Sequence, residues 1–520
     1  MHSEEVDVAI IGGGHNGLVA AAYLSRAGLK VKVLEKLDVL GGAAISATAF
    51  PGVEAKLSRY SYLVSLLPKQ VIEDLELEIE LAPRRYSSFT PDPFSDKGLL
   101  IDKLDQQATK TSFQQLGAEA DFDNWNEFYS KTELIAQKLF PTVLEPLKTA
   151  VEVKQLLGEE LWQEFFEQPI GKTIEKYFGS DLVRGVVMTD ALIGTFAANN
   201  DETLASNKCF LYHVIGNETG DWNIPVGGMG SVTASMREAA ERFGADLQTG
   251  AEVVEITSER VVAYKQQGEV RRVRAKFVLA NLAALRLHQL LGKEFAEHIE
   301  GAQVKVNMLL KRLPRLKSGV DPKAAFGGTF HINENYSQLQ SAFEQASVGE
   351  IPSPLPCEIY CHSLTDPSIL SKELAKDGVQ TLTVFALHTP HSLLSGKDQK
   401  QMREALERAV IDSLNSVLAE PIEALLLQDG EGHPCIETKT TQDLEDALGL
   451  PGGNIFHTPL SWPFSERSIK DVPAERWGVS SSFENIFYCG SSAIRGGAVS
   501  GIAGHNAAMA VLEELGQSKK

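Results

Sequence analysis

The amino-acid sequence predicts an α/β fold from two segments, one near each end of the 520-residue chain. Near the amino terminus, the apolar run 6–11 ends in the Gly-Gly-Gly-His-Asn-Gly motif of residues 12–17, and an Ala-rich helical pattern follows. Near the carboxyl terminus, a strand pattern over 485–490 leads into a glycine-rich turn over 491–501 and a helix of small residues. A strand, a glycine-rich turn and a helix in this order are typical of dinucleotide-binding domains.

The amino-terminal segment contains every part of a dinucleotide-binding unit. Gly12 permits the tight turn, Gly14 lets the backbone approach a pyrophosphate, and Gly17 allows the helix to pack closely on the strand. Free N–H groups at the start of the helix attract phosphate. A second strand pattern ends in Glu35, which is placed to accept a hydrogen bond from a ribose hydroxyl. The sequence therefore predicts a nucleotide site here, to which Asn16 and Lys36 are also assigned.

The loop after Glu35 favours FAD as the nucleotide. Gly41 and Gly42, followed by Ala43, form a second glycine turn, which an NAD-only domain does not need and which flavoproteins similar to this sequence carry. The stretch 227–230, Gly-Gly-Met-Gly, lacks the third glycine and the trailing acid of a second nucleotide unit. No cysteine pair follows Gly42, so the redox disulfide of pyridine nucleotide-disulfide reductases is absent. The sequence thus predicts one site, for FAD.

The carboxyl-terminal turn is predicted to complete this site. A glycine-rich turn offers backbone N–H groups to an anionic or carbonyl-bearing ligand. The residues assigned to the cofactor in this turn are Gly490, Ser491, Gly497, Ala498 and Val499. A packing turn without a ligand is the alternative. If the first interpretation holds, the two ends of the chain meet around one cofactor.

These motifs resemble those of the phytoene desaturase-related FAD-dependent oxidoreductases. The resemblance covers nearly the whole chain, in the opening motif with Glu35 and 41–44 and in the stretches 58–63, 224–230, 304–307, 450–457 and 496–508. It implies a Rossmann-like FAD-binding domain of the glutathione-reductase-like kind, as in amine oxidases and phytoene desaturase, with an inserted α+β substrate domain. It also implies that Val253 contacts the adenine through its backbone.

The predicted domains are discontinuous. Segments 1–66, 221–300 and 475–520 are assigned to the FAD-binding domain. Segments 67–220 and 301–474 are assigned to the substrate domain, and 67–220 is expected to be largely helical. Trp125, Phe128, Trp162 and Phe165 have spacings that suggest packed helices, so they are expected in the core.

Three residues are candidates for a catalytic role, His457, Arg59 and Arg495, since a flavin mainly needs the protein to orient substrate. His457 is the best titratable candidate, because the ordinary pKa of histidine lies near neutrality; a core histidine is the alternative. Arg59 is placed to reach the flavin's pyrimidine edge or an anionic substrate, or else to form a salt bridge between domains. Tyr60 and Tyr62 are assigned to the substrate pocket.

Two departures from the resembled family lie where the flavin ring is expected. Ile494-Arg495 replaces a His-Pro pair before the terminal Gly-Gly, and 460–463, Leu-Ser-Trp-Pro, replaces a Ser-Leu-Asp-Gln stretch. We hypothesise that Arg495 and Trp462 reshape the pocket for a less purely hydrocarbon substrate.

The resulting prediction is an FAD-dependent oxidoreductase that dehydrogenates or isomerises an apolar or amphipathic small molecule, with oxygen or a quinone as electron acceptor. The alternatives are amine-oxidase-like C–N oxidation and a non-catalytic FAD-stabilised binding or regulatory protein. With 49 basic and 69 acidic side chains, the net charge of −20 argues against nucleic acid and does not indicate membrane contact. No secretory signal or long apolar run is present and no metal site is predicted, so a cytoplasmic location is expected. The sequence leaves the oligomeric state open.

Overall fold

Two seven-stranded sheets organise the protein. The structure is a computed structural model and describes residues 4–517. Residues 1–3 and 518–520, which belong to the predicted FAD-binding segments, lie outside the described residues. Of the helices in the described part of the chain, none is both long and apolar enough to cross a membrane.

The strands are β1 (Glu4–Ile11), β2 (Val31–Leu34), β3 (Ser46–Thr48), β4 (Lys56–Ser58), β5 (Leu81–Ala82), β6 (Tyr86–Pro91), β7 (Gly98–Asp102), β8 (Ile224–Pro225), β9 (Asp246–Gln248), β10 (Glu252–Ile256), β11 (Val261–Gln266), β12 (Glu269–Ala280), β13 (Val304–Leu310), β14 (Thr329–Ile332), β15 (Cys357–Tyr360), β16 (Gln380–Ala386), β17 (Ile436–Lys439) and β18 (Ile486–Tyr488).

The α-helices are α1 (His15–Arg26), α2 (Lys69–Asp74), α3 (Gln106–Gln115), α4 (Glu119–Leu139), α5 (Ala150–Leu157), α6 (Glu159–Trp162), α7 (Ile170–Tyr177), α8 (Asp181–Thr189), α9 (Ala205–Val214), α10 (Met229–Arg242), α11 (Ala284–Leu290), α12 (Pro322–Ala325), α13 (Tyr336–Ser347), α14 (Lys372–Lys376), α15 (Gln399–Val417), α16 (Thr441–Leu448), α17 (Pro473–Arg476) and α18 (Ile502–Glu514).

The first sheet confirms the predicted α/β fold. Its strand order is β10-β11-β12-β1-β2-β9, and β18 also pairs with β12. β1 runs parallel to β2 and to β12, and β18 runs parallel to β12. Helices α1, α10 and α18 pack together in one apolar cluster against this sheet. Alanine at seven positions of α1 and α18 lets the two helices approach closely, since each is buried with no side chain beyond Cβ.

The second sheet has the order β17-β13-β16-β15-β14-β6-β7 and is largely antiparallel. Alternate residues of its central strands point to opposite faces. One face, which includes Val306, Ile332, Ile359 and Val384, packs against α15 in an apolar core. The opposite face carries polar and aromatic side chains, and Phe385 on this face lines the candidate functional site.

A helical layer over 106–214 forms the third core of the molecule. The four aromatic residues expected in the core, Trp125, Phe128, Trp162 and Phe165, are buried there as predicted. The segment 67–220 also contains β5, β6 and β7, which the helical pattern did not reveal. β6 and β7 extend the second sheet because Phe89 is fully buried against Phe330, with ring centroids 5.8 Å apart.

Candidate functional site

A single elongated cavity of about 570 Å³ runs from the β1–α1 turn to the second sheet. Its wall includes residues from both predicted FAD-binding ends of the chain and from the second sheet. A volume of this size is typical of small-molecule and cofactor sites. The cavity therefore joins the dinucleotide motif to the region assigned to substrate.

The phosphate end of the cavity is the turn before α1. Gly12, Gly14, His15 and Asn16 line it. Gly14 is the N-cap of α1 and, within residues 4–517, no side chain caps the helix and no acid occupies its first turn. The N–H groups of that turn are thus available to an anion. A Cβ added at Gly14 would lie 3.2 Å from Asn281 Nδ2, so glycine keeps this surface open.

Gly17 has a packing role and lies behind the cavity wall. Gly12 has a φ of 98°, and its carbonyl oxygen points toward α1. A Cβ added at Gly17 would lie only 2.4 Å from this oxygen. Asn281, which directly follows β12, donates from Nδ2 to that same oxygen at 3.0 Å and lines the cavity. Sequence reasoning missed Asn281, although a polar residue directly after a buried parallel strand is a signal that could have found it.

Glu35, at the end of β2, fixes the loop on the other side of the phosphate end. Its carboxylate accepts hydrogen bonds from the backbone N–H of Gly13 at 2.7 Å and of Leu37 at 2.8 Å. Glu35 and Lys36 both line the cavity. Each carboxylate oxygen keeps further acceptor capacity, so the position suits a ribose hydroxyl.

The Gly-Gly turn after Glu35 faces the phosphate end. Gly42 and Ala43 line the cavity, and a Cβ at Gly42 would lie 3.1 Å from Gly14 Cα. Gly41 lies behind them, with a φ of 121°, and donates from its N–H to the carbonyl oxygen of Gly13 at 2.9 Å. The two glycine turns therefore hold each other in place.

The adenine end is formed by residues from distant parts of the chain. Val253 on β10 and Arg286 of α11 both line the cavity, and the contact of Val253 with adenine stays a prediction. The segment Leu444–Leu450, which includes the end of α16, lines the same end. Sequence reasoning missed this segment, and no local motif marks it.

The carboxyl-terminal turn contributes three of its five assigned residues to the wall. Ser491, Ala498 and Val499 line the cavity. Gly490 and Gly497 lie behind it, because a Cβ at Gly490 would be 2.6 Å from Asn281 Oδ1 and one at Gly497 would be 3.0 Å from Leu460. The two chain ends thus meet at this cavity.

Three histidines line the cavity, His15, His213 and His457, of which His15 and His457 are near each other. His15 Nε2 lies 3.1 Å from the carbonyl oxygen of Ala498, and burial lowers the pKa of His15 to about 4. Burial, and secondarily the charge of His15, lowers the pKa of His457 to about 4. His457 Nδ1 is buried without a hydrogen-bond partner among residues 4–517. Both rings are therefore neutral at physiological pH and weak proton acceptors.

The far end of the cavity is aromatic. Tyr60, Tyr62, Tyr212, Trp222 and Phe385 line it. The rings of Tyr62 and Phe385 are 4.4 Å apart between centroids. This end is suited to bind an apolar or amphipathic body, with tyrosine hydroxyls available to a polar group.

Lys305 of β13 lies behind this aromatic end and was not singled out as a site residue. It is 3% exposed, and its Nζ donates to the carbonyl oxygen of Ser58 at 2.7 Å and of Ser61 at 3.4 Å. Nζ lies 5.0 Å from the ring centroid of Phe385. Burial lowers the pKa of Lys305 to about 7. A lysine within a buried strand was the available sequence signal.

Three residues that were assigned to catalysis or to the substrate pocket lie away from the cavity wall, Arg59, Trp462 and Arg495. Arg59 forms an ion pair with Glu437, which is the salt-bridge alternative. Trp462 packs against Phe464 and Phe166 in the helical core. Arg495 is 1% exposed and donates from Nη1 to the carbonyl oxygens of three residues in the neighbouring helical segment, Thr142, Val143 and Glu145, at 2.6–2.9 Å. These contacts give no support to a catalytic or pocket role for the three side chains.

The residues present fit an FAD molecule. Gly14 and Gly42 leave a surface that any larger side chain would fill, and free helix N–H groups point to it. Glu35 stands after β2, where the acid that binds the ribose of a dinucleotide lies relative to this turn, and it lines the cavity together with Val253. The aromatic end extends the cavity beyond the dinucleotide part. FAD is thus the cofactor that the cavity accommodates.

Comparison with known proteins supports this fit. Residues 10–69 match a model described as an NAD(P)-binding Rossmann-like domain. An uncharacterized protein of Mycobacterium tuberculosis is 50% identical, over 100% of this chain and 99% of its own length. Pyridine nucleotide-disulfide oxidoreductase domain-containing protein 2 of Rattus norvegicus is 31% identical, over 98% of this chain and 94% of its own.

A solved structure shares the fold at much lower identity. Cyclohexylamine oxidase from Brevibacterium oxydans matches with a TM-score of 0.54 and 15% identity, over 98% of this chain and 99% of that one. The full-length similarity to the rat protein is what decides the family. This chain belongs to the phytoene desaturase-related FAD-dependent oxidoreductases, in the group of pyridine nucleotide-disulfide oxidoreductase domain-containing protein 2.

Proposed function

We propose that the protein dehydrogenates, or isomerises with flavin assistance, an apolar or amphipathic small molecule. The observation that carries this proposal is the continuity of one cavity from the dinucleotide turn at Gly14 to the aromatic end at Tyr62 and Phe385. A cofactor held at the first place extends toward a substrate held at the second.

FAD, when bound, supplies an acceptor for a hydride at N5 of its ring. The chain's own part is to bind and orient. The N–H groups of α1 and the glycine turns hold phosphate, while Glu35 holds the ribose. Tyr60, Tyr62 and Phe385 contact the body of the substrate and exclude water from it. The low pKa values of His15 and His457 keep the middle of the cavity uncharged at neutral pH.

An amine is the second candidate substrate. Tyr60, Tyr62, Tyr212, Trp222 and Phe385 surround one end of the cavity, and aromatic faces attract alkylammonium cations. Oxidation of its C–N bond would use the same orientation of substrate and cofactor. We propose oxygen or a quinone as the acceptor that returns the cofactor to its oxidised state.

The test begins with the purified protein, whose visible spectrum reports bound FAD. Anaerobic mixing with two panels, terpenoid or long-chain amphiphiles and alkylamines, should bleach that spectrum with one panel only. Phe385→Ala should raise KM about tenfold or more for the active compound, because it removes a buried aromatic contact. Phe94→Ala is the matched control, since Phe94 is 88% exposed.

The outcomes separate the alternatives. Bleaching by amines alone selects C–N oxidation. A yellow protein that no compound reduces, although dithionite does, favours a non-catalytic FAD-stabilised binding protein. A colourless protein that cannot be reconstituted with FAD refutes both the enzymatic and the binding proposals.

A further inference from the structure

The second sheet presents titratable side chains toward the cavity. Along β14 and β15, Phe330, Ile332, Cys357 and Ile359 point into the apolar core under α15. The residues that alternate with them, His331, Glu358 and Tyr360, therefore lie on the opposite face. Phe385 of β16 belongs to that face and lines the cavity.

The centre of this face is a buried carboxyl–imidazole cluster. His331 and Glu358 are direct neighbours across the β14–β15 pair. His331 Nδ1 lies 2.5 Å from Glu334 Oε2, and Thr189 Oγ1 donates to that oxygen at 2.9 Å. His331, Glu334 and Glu358 are all at most 5% exposed. The cluster is thus sealed from bulk solvent.

The cluster has more carboxyl groups than positive charges to neutralise them. Glu334 Oε1 and Glu358 Oε2 are buried with no hydrogen-bond partner among residues 4–517. Asp190, after α8, is a third carboxyl group near them. Two cations lie on this side: Arg84, 5.8 Å from the ring centroid of Tyr360, and Lys305, 5.9 Å from that of Tyr62. A buried carboxylate without full compensation takes up a proton.

The pKa values agree with that reasoning. Burial raises the pKa of Glu358 to about 8, and the charges of Glu334 and Asp190 add to the effect while His331 opposes it. Burial raises the pKa of Asp190 to about 6 and that of Glu334 well above its ordinary value. At neutral pH the cluster therefore holds protons. Glu358 gains or loses its proton near pH 8, which is close to physiological pH.

Two tyrosines connect this cluster with the cavity. Tyr62 lines the cavity, and its ring lies 4.6 Å from that of Tyr360 between centroids. Tyr360 lies two residues after Glu358 on β15 and therefore on the same face of the sheet. A tyrosine hydroxyl can donate and accept at once, so it can pass a proton on.

We propose that Tyr62, Tyr360 and Glu358 form a proton relay that carries a proton from the cavity to the buried carboxyl group of Glu358, beside His331. The proposal rests on the proposed dehydrogenase function. Oxidation removes a hydride with its electron pair and leaves a second hydrogen to depart as a proton. Tyr62 accepts that proton as it gives its own to Tyr360. Tyr360 in turn gives its proton to Glu358 in those molecules in which this carboxyl is ionised, which the raised pKa of Glu358 makes the smaller fraction at pH 7 and the larger fraction above about pH 8. One O–H bond forms at Glu358 as the bond between the departing hydrogen and the substrate breaks.

The first test needs no substrate and no cofactor. Infrared difference spectra between about pH 7 and 9.5 should show loss of one protonated-carboxyl C=O band in the wild type. Glu358→Gln should remove that band. Glu164→Gln should keep it, because Glu164 is equally buried but paired with Lys131 and Lys176, which hold its pKa below the ordinary value. Absence of the band in the wild type overturns the proposal, whether or not the protein binds FAD.

The second test follows the relay in reverse in the FAD-loaded protein. After rapid photoreduction of bound FAD, time-resolved infrared should show the Glu358 band losing its proton toward the cavity. Tyr360→Phe, which keeps the ring and removes the hydroxyl, should slow this loss about 100-fold or more while leaving the static band intact. A band that does not respond, or an unchanged rate in Tyr360→Phe, overturns the relay. Failure of the proposed function is separate, because it appears as a protein without bound FAD or without any reducing substrate.

Discussion

Replacement of Lys305 by methionine should change how stability depends on pH. Lys305 is buried, and its pKa falls from 10.5 to about 7 on folding. That difference corresponds to about 5 kcal/mol between the charged and neutral forms. Between about pH 7 and 10.5 the unfolded chain binds one more proton at this residue than the folded chain, so wild-type stability rises with pH over that window.

The magnitude over an accessible range follows from the same shift. From about pH 7 to 9.5, Lys305 should add about 3 kcal/mol to the free energy of unfolding of the wild type. Lys305→Met lacks this contribution, although it also loses the hydrogen bonds to Ser58 and Ser61 at every pH. Urea unfolding of both proteins at the two pH values measures the change in their difference, which cancels all other titrating groups.

Lys32→Met is the matched control. Lys32 is 6% exposed, but Glu4 and Asp246 lie 2.8 and 2.6 Å from its Nζ and hold its pKa above the ordinary value. Its contribution is thus fully present up to about pH 10, and Lys32→Met should lower stability by a constant amount in this range. A difference between wild type and Lys305→Met that does not vary with pH would refute the assignment of a neutral buried amine.

Three further substitutions test the site. Gly17→Ala should lower the free energy of unfolding by about 1–3 kcal/mol, because its Cβ would press on the carbonyl oxygen of Gly12; urea unfolding that matches the wild type would contradict this. His457 should show no ring titration by NMR between about pH 5.5 and 8, with His457→Gln assigning the signal; a transition near 6.5 would contradict its burial. Arg495→Met should cost about 3 kcal/mol of stability and leave the shape of the FAD spectrum unchanged, whereas an altered spectrum would restore its predicted place at the flavin.

The dinucleotide part of the site was predictable because its chemistry lies in contiguous residues. The turn at Gly12 and Gly14 and the acid at Glu35 are fixed by the order of strand, turn and helix, which the sequence displays directly. The structure places Gly14, Glu35 and Val253 on one cavity wall. The backbone requirement at Gly12, a φ of 98°, is of the kind that only glycine meets without strain.

The rest of the site depends on contacts between distant segments. Lys305 and Leu450 lie within stretches that resemble the family, and Asn281 directly follows a strand, yet no local pattern shows which segments meet. Only the folded sheets bring Asn281, Lys305 and residues 444–450 to the cavity or to its back wall. Arg495 is the reverse case, a residue that was assigned to the site from the sequence but whose side chain lies elsewhere. Its turn lies at the cavity, as the position of Ala498 shows, yet its side chain extends to the carbonyl groups of 142–145. Proximity in sequence to a cofactor turn does not determine where a long side chain points.

Titration of the apoprotein with FAD tests the central claim, that the cavity at Gly14 is the cofactor site. Gly14 has a φ of −72°, which alanine adopts freely, and an added Cβ would meet protein atoms no closer than 3.2 Å. Gly14→Ala should therefore fold like the wild type but bind FAD at least about tenfold more weakly, because the methyl group occupies the surface where phosphate approaches. Gly179→Ala, at a position without close contacts, is the control. The account predicts one FAD per chain in wild type and Gly179→Ala and weakened binding in Gly14→Ala; equal affinity in all three, or no FAD binding by the wild type, would contradict it.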